Sequence, residues 1–405
     1  MEESTVAAYS DFRQVESNAA MMVLMDDGKT SKGWLKKHGG TAFALSLVAG
    51  IFHVAARGGL APQGMPPSAQ VATAVLLIAA TLWITEALPL FVTSFVVLAL
   101  CLLWLHPTMT RDGVEVEQGV FLAPFFSDVI LLFLGGFVLS AALHRKRLDE
   151  RLAHWMIRSS GDSLPKLMLG VMVVTAFLSM WLSNTAAAAM MLALVLPIAR
   201  ALPGDDPSRK SLLLSVPFAA NVGGLGTPIG SPPNAIAMQY LRQEGLAPSF
   251  AEWMLIGLPG VVGMLAVLWL FLAPPRDATV SLPIDKRAAE PFDFTKKTWL
   301  TIVVAALTAL GWMTSAWHGQ SPGTVALFPV ILFFGTGVLK VNDLRTLSWD
   351  VLLLMGGGLC LGTAVSLSGL AEWLVAGIPV DDLSVYWLMV AFAVIACVMS
   401  SVMSN

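Results

Sequence analysis

Charge is what this sequence has least of. Only 13% of its 405 residues are Asp, Glu, Lys or Arg, while 56% are hydrophobic; a soluble domain averages about 25% charged. That shortage excludes an ordinary soluble globule and points to an all-α polytopic membrane protein. Basic clusters with interleaved aromatics are missing, and the net charge is −3, so nothing recommends nucleic acid as a partner. Cysteine is scarce as well. Cys101, Cys360 and Cys397 all lie in apolar runs without metal-ligand spacing, so they read as small core residues and imply neither a disulfide framework nor a zinc site. The acidic start (Glu2, Glu3) is followed by no apolar stretch with a cleavage site, which argues against a signal peptide. The apolar runs hold no Ser/His pair, paired aspartates or metal-ligand set, so an intramembrane enzyme is disfavoured.

What is present is repetition. DVILLFLGGFVLSAAL from Asp128 returns as DVLLLMGGGLCLGTAV from Asp350. At nearly the same offset, Ser179-Met180-Trp181-Leu182-Ser183-Asn184-Thr185 returns as Ser400-Ser401-Val402-Met403-Ser404-Asn405. A polar S-x-x-x-S-N cluster recurring in register inside apolar segments marks a secondary transporter built from two structural repeats. The second copy reaches Asn405 where the first goes on to Thr185, so the second repeat is expected to be truncated at its C-terminus.

The expected organisation follows. Residues 1–40 form a cytoplasmic N-terminal arm, ending in the collar Lys29, Lys32, Trp34, Lys36 and Lys37, which the positive-inside rule puts in the cytoplasm. Residues 41–56 are the first transmembrane helix and 71–275 the first inverted repeat. A polar linker covers 276–298, and 299–405 form the incomplete second repeat. His144 to Leu152 reads as an amphipathic stretch in the membrane plane, and six basic residues from Arg145 to Lys166 place it on the cytoplasmic side. Its counterpart, Ser366 to Leu374, has lost that charge, as inverted topology requires.

Two apolar runs carry geometry. The one from Leu167 to Ala199 has 33 residues, about 50 Å as one helix, against a hydrocarbon core about 30 Å thick. It is expected to break at its one polar cluster, Ser183-Asn184-Thr185. The run 212–240 contains Asn221 to Asn234, with four glycines and three prolines in fourteen residues, and cannot be a continuous helix. Non-helical backbone at that depth survives only where it lines a cavity or is buried in protein. The clusters Gly135-Gly136 and Gly356-Gly357-Gly358 are open to two readings, close helix packing or the tips of re-entrant hairpins.

Half-helix N-termini meeting at such a break attract an anion. Serine hydroxyls, an asparagine amide oxygen and unwound carbonyls make the oxygen cage that an alkali cation needs. Ser179 and Ser183 share a helical face, and Gly226-Thr227-Pro228 offers further oxygens. No Lys or Arg lies in these clusters, so an anionic substrate must be neutralised by bound cations and helix dipoles. No Asp, Glu or His lies there either, as proton-coupled carriers usually have, and sodium coupling is favoured. Glu86 is either a proton site or a pin at a helix end beside Pro89; Asp128 and Asp350 read as structural acids at helix starts. The bland alternative for Ser179, Ser183, Asn184 and Thr185 is interhelical hydrogen bonding; recurrence in the second half weighs against it.

Ser183-Asn184-Thr185-Ala186, the run Gly226-Thr227-Pro228 with Pro232-Pro233-Asn234, and Thr85-Glu86-Ala87-Leu88-Pro89 resemble the divalent anion/sodium symporter family. That family includes bacterial dicarboxylate carriers and sodium/carboxylate and sodium/sulfate cotransporters. The resemblance covers about 41–405. It implies an inverted-repeat transporter with broken helices and two re-entrant hairpins, and so favours hairpins for the glycine-bearing runs. It also implies a homodimer in the plasma (inner) membrane, working by an elevator-like motion.

Matched residue by residue, the first sodium site would use Ser179, Ser183, Asn184 and Gly226, with Gly224 and Gly230 as rivals for the last place. Substrate carboxylates would meet Asn184 and Thr185, with Thr227 and Pro228. The second sodium site would use Ser400, Met403 and Asn405, and Asn405 would also touch substrate. The implied function is sodium-coupled symport of a small di- or tricarboxylate, with a C4-dicarboxylate such as succinate favoured and sulfate as the rival. From another class, the alternative is a non-transporting fragment that dimerises through its scaffold helices. The family's pattern continues past the position of Asn405, by roughly 60–90 residues on repeat symmetry.

Overall fold

The computed structural model describes residues 31–59, 62, 64–159, 163–203, 205–275, 278, 295–376 and 384–402. Among them, six helices are long and apolar enough to cross a membrane: Pro67–Thr85, Leu90–Arg111, Gly119–Arg145, Asn184–Ala201, Phe250–Leu272 and Trp349–Leu367. The most apolar, Phe250–Leu272, turns outward large side chains such as Leu255, Ile256 and Phe271. Such a surface belongs in lipid. The expected polytopic membrane protein is therefore found.

The longer helices are α1 (Ser31–Ala56), α2 (Pro67–Thr85), α3 (Leu90–Arg111, with a π-helical turn at Cys101–Leu105), α4 (Asp128–Arg145) and α5 (Leu148–Ser159). Then come α6 (Leu164–Ser179), α7 (Asn184–Ala201), α8 (Pro207–Gly223), α9 (Pro232–Gln243) and α10 (Phe250–Leu272). The last are α11 (Lys296–Met313), α12 (Pro322–Gly335), α13 (Trp349–Leu367), α14 (Leu370–Ala376) and α15 (Val385–Val402). Helix α1 starts at Ser31, ahead of the start at 41 read from hydropathy; most of the arm and of the 276–298 linker lies outside the described residues.

The chain divides into two compact units. The first takes residues up to Val96, then Leu103–Val114, then Val365 onward. Its described part centres on α2, which packs against α1 and α14. Ser68, buried in the first turn of α2, donates its N–H to the Asp112 carboxylate at 2.8 Å and its hydroxyl to the Ser368 carbonyl at 3.1 Å. At the other end Glu86 takes a left-handed conformation (φ 48°) and is exposed. The Trp83 indole N–H donates to the Leu90 carbonyl across that corner at 3.1 Å, so Glu86 stands at a helix end. Cys397, on α15, is exposed, against the expectation of a core cysteine; Cys101 and Cys360, in the other unit, are buried.

The second unit takes Val97–Leu102 and Glu115–Ala364. Its tightest pairing is α4 against α12. Gly135 makes that possible: a Cβ there would come within 2.5 Å of the Ala326 Cβ. Asp128 opens α4 and ties three elements together. Its carboxylate accepts from the Gly323 N–H at 2.9 Å, from the Ser321 hydroxyl, and from Arg242 at 2.6 Å. Asp128 is structural, as read. Stacked rings continue the core, with Phe250 5.5 Å from Trp312 and 6.4 Å from Trp181.

The glycine clusters sit inside the unbroken helices α4 and α13, and Gly356 packs against Phe125. They are packing devices, which corrects the hairpin reading of those two runs. The reversal lies instead within Leu167–Ala199. Gly223, at the end of α8, abuts the Ala176 backbone near the end of α6, and the Ser179 hydroxyl lies 2.7 Å from the Ala220 carbonyl. Helices α6 and α8 also pack extensively on each other, and with their ends meeting they must run in the same direction. Helix α7 begins where α6 ends and leads to the start of α8, so it must run back alongside them. The long apolar run is a helical hairpin, not one interrupted span, and each arm is about 25 Å long.

Candidate functional site

Ser183-Asn184-Thr185 forms the tip of the α6–α7 hairpin. Helix α6 ends at Ser179, and a short turn delivers Ser183 in extended conformation (ψ 144°) as the N-cap of α7. Its hydroxyl accepts from the Ala186 N–H at 3.2 Å, as a capping serine does. Asn184 and Thr185 occupy the first turn of α7, where backbone N–H groups are free and the helix dipole is positive. Thr185 is exposed, while Ser179 is fully buried.

The second element is the glycine turn between α8 and α9. Helix α8 stops at Gly223, a 3-10 turn covers Gly224–Gly226, and α9 starts at Pro232. Residues 221–234 are broken as their glycines and prolines demanded. The turn is packed onto the hairpin tip at two places. A Cβ on Gly224 would lie 2.6 Å from Asn184 Oδ1 and 2.9 Å from its Nδ2. The Thr227 hydroxyl, fully buried, donates to the Met180 carbonyl at 2.6 Å.

Oxygen converges here without formal charge. The Ser179 hydroxyl lies 2.6 Å from Asn184 Oδ1 and 2.7 Å from the Ala220 carbonyl; with one proton it donates to one at a time. The structure therefore brings together Ser179, Asn184, Ala220 and Gly224, with Ser183 and Thr185 on the same tip. Gly226 packs against the Met180 side chain, and Pro228 is buried within the turn. Ser400 lies on α15, while Met403 and Asn405 lie outside the described residues. Among the described residues no group of three His, Cys, Asp or Glu converges, and the donors at the tip are hydroxyl, amide and carbonyl.

The sequence assigns two contributors no role in the site, although Asn234 lies in a run that carries the family resemblance. The Ala220 carbonyl belongs to the backbone, which no side-chain pattern reports. Asn234, beside Pro232 and Pro233, proves to be 6% exposed, and its amide donates to the Gly224 and Thr227 carbonyls at 2.8 and 2.9 Å.

A cavity of about 560 Å³ reaches the tip on its Ser183 side. Ala186, Ala189 and Ala193 of α7 and Ser140 and His144 of α4 are among its lining residues. His144 Nδ1 lies 2.9 Å from the Asp149 carboxylate, and Asp149 and Glu150 also line the cavity.

A family model described as citrate transporter matches residues 80–405. The sodium-dependent dicarboxylate transporters SdcS of Staphylococcus aureus strains USA300 and NCTC 8325 are each 36% identical to this chain over 352 residues, covering 77% of it. The match covers 65% of each relative, so the chain spans a little under two thirds of their length. Six apolar helices, an S-N-T hairpin tip seated on a glycine turn, and a family match over most of its length together lead to one assignment: this multi-pass membrane protein belongs to the citrate transporter family.

Proposed function

We propose that the protein carries a small dicarboxylate across the membrane together with sodium, a C4-dicarboxylate such as succinate being the favoured substrate. One observation carries the proposal: the neutral oxygens of Ser179, Asn184 and Ala220 gather at the end of a helical hairpin, with Gly224 packed on the Asn184 amide and the free N–H groups of α7 beside them. The names of the Staphylococcus aureus relatives support the same reading.

The roles follow from the chemistry. A cation at the tip takes lone pairs from Asn184 Oδ1 and the carbonyls, while the Ser179 hydroxyl turns its proton toward Ala220 and offers its oxygen. Ser183 and Gly226 complete this first ion site. The Asn184 amide N–H and the Thr185 hydroxyl face one substrate carboxylate, and Thr227 and Pro228 hold the turn beside them. With no Lys or Arg at the tip, the dianion depends on its ions. A sodium about 4 Å from a carboxylate supplies about 4 kcal/mol at an effective dielectric near 20. Sodium and substrate therefore bind together or poorly.

Around Ser400, Met403 and Asn405 the second repeat builds the matching ion site. The carrier works as a homodimer in the plasma membrane with its N-terminus in the cytoplasm, and moves its site by an elevator-like shift. Uptake of radiolabelled succinate into proteoliposomes tests the proposal. Accumulation in sodium but not in choline, or sodium-dependent succinate binding by the purified protein, supports it. Absence of both overturns it.

A further inference from the structure

We infer that Asn234 is a positioning residue for the ion site: its side-chain amide fixes the two carbonyls of the glycine turn and thereby sets sodium affinity and selectivity. The inference rests on the reading of the hairpin tip as a sodium site, and concerns a residue that need not touch the ion.

The geometry is specific. Asn234 stands in the first turn of α9, behind the two prolines that start that helix. It is 6% exposed, and Nδ2 has two protons, both used: one on Gly224 O at 2.8 Å and one on Thr227 O at 2.9 Å. Gly224 opens the 3-10 turn and Thr227 follows it, and both meet the hairpin. Gly224 abuts the Asn184 amide, and the Thr227 hydroxyl holds the Met180 carbonyl. Asn234 thus grips the turn from α9 at the points where it touches the tip.

Why the ion should feel this follows from the turn itself. Gly224 and Gly226 leave its backbone poorly constrained. Carbonyls in unwound segments can select among alkali ions only if their number and placement are held. A site held within about half an ångström needs supporting hydrogen bonds behind its ligands. Here a single amide ties two carbonyls together; without it the Gly224 carbonyl loses that partner and the Thr227 carbonyl keeps only the longer bond from the Gly230 N–H at 3.2 Å. A carboxylate in its place would also aim acceptors at acceptors.

The test is sodium-dependent thermal stabilisation of the purified full chain, run with sodium and with lithium, for wild type, Asn234→Asp, Asn234→Leu and Asn234→Gln. The aspartate and leucine variants keep the approximate shape, so a purely packing role predicts wild-type ion dependence. We expect the sodium concentration for half-maximal stabilisation to rise about tenfold in both, with lithium discriminated less well. Gln keeps the amide and should recover part of the loss, which keeps the question answerable should Asp or Leu fail to fold. Unchanged sodium affinity and lithium discrimination in the folded variants overturn the inference while leaving the sodium site standing. Wild type unresponsive to sodium overturns the sodium reading itself, and this inference with it.

Discussion

Gly224, in the 3-10 turn after α8, and Asn184, the first residue of α7, are in direct contact, so that a Cβ on the glycine would fall 2.6 Å from the asparagine's Oδ1. A methyl group cannot be placed there unless the amide moves. Gly224→Ala should therefore disturb Asn184 with no change in polarity. Overpacking costs about 1–3 kcal/mol, and uptake should fall at least tenfold while protein yield is kept. Succinate uptake measured alongside yield in detergent checks this; normal uptake would mean that Asn184 can adjust freely.

Asn184→Ala removes an ion ligand and a substrate ligand at once on the proposed roles. Uptake should be abolished, and sodium should no longer raise the unfolding temperature, with expression unchanged. Retained uptake with the same sodium dependence would remove Asn184 from the site.

Asp128→Ala tests stability and not transport chemistry. It leaves the Gly323 N–H, the Ser321 hydroxyl and Arg242 without their shared acceptor. Losing the partner of part-buried groups costs about 1–3 kcal/mol, read as a lower unfolding temperature. The sodium concentration for half-maximal stabilisation should stay as in wild type.

The cavity beside Ser183 predicts an accessibility pattern on α7. In a Cys397→Ser background, Ala189→Cys faces the cavity and should react with a charged thiol reagent, whereas Ala187→Cys, fully buried, should not. Equal labelling of the two would place the cavity elsewhere.

Asp206 gives a pH dependence. It caps α8 by accepting the Ser208 N–H at 2.8 Å, and this backbone bond, with help from the Ser208 side chain, lowers its pKa below the ordinary carboxylate value. A folded-state pKa below the unfolded one contributes stability above the unfolded value of about 3.9 and loses it as pH falls through the folded one. The difference in unfolding temperature between wild type and Asp206→Ala should be constant from about pH 5 to pH 8 and shrink below about pH 4. A difference that grows on acidification would contradict the sign.

The features that could be read from the sequence were those written in side-chain chemistry. Four glycines and three prolines between Asn221 and Asn234 forbid a helix whatever surrounds them, and the structure breaks there. The length of Leu167–Ala199 required an interruption, and Ser183 to Thr185 supplied it. Direction was not legible: hydropathy reports burial and period but not whether a chain continues or turns back after a polar cluster. The glycines of α4 and α13 went the other way, because close packing and a hairpin tip ask for the same small residue. Within the site, Asn184 could be named from its motif. The resemblance favours Gly226, with Gly224 and Gly230 as rivals, and it is Gly224 that packs on the Asn184 amide; the Ala220 carbonyl leaves no trace in the sequence.

The hydrogen bonds from Ser179 to Ala220 and from Thr227 to Met180, with Gly223 seated on Ala176, lock the hairpin end to the broken helix at three points. Everything that would hold the first ion then shares one frame of reference. Prising the tip from the turn would dismantle the cage, so an ion carried there, as proposed, would travel with its walls intact. On the proposed elevator-like shift, what opens and closes is the surroundings, and the cradle itself is cargo.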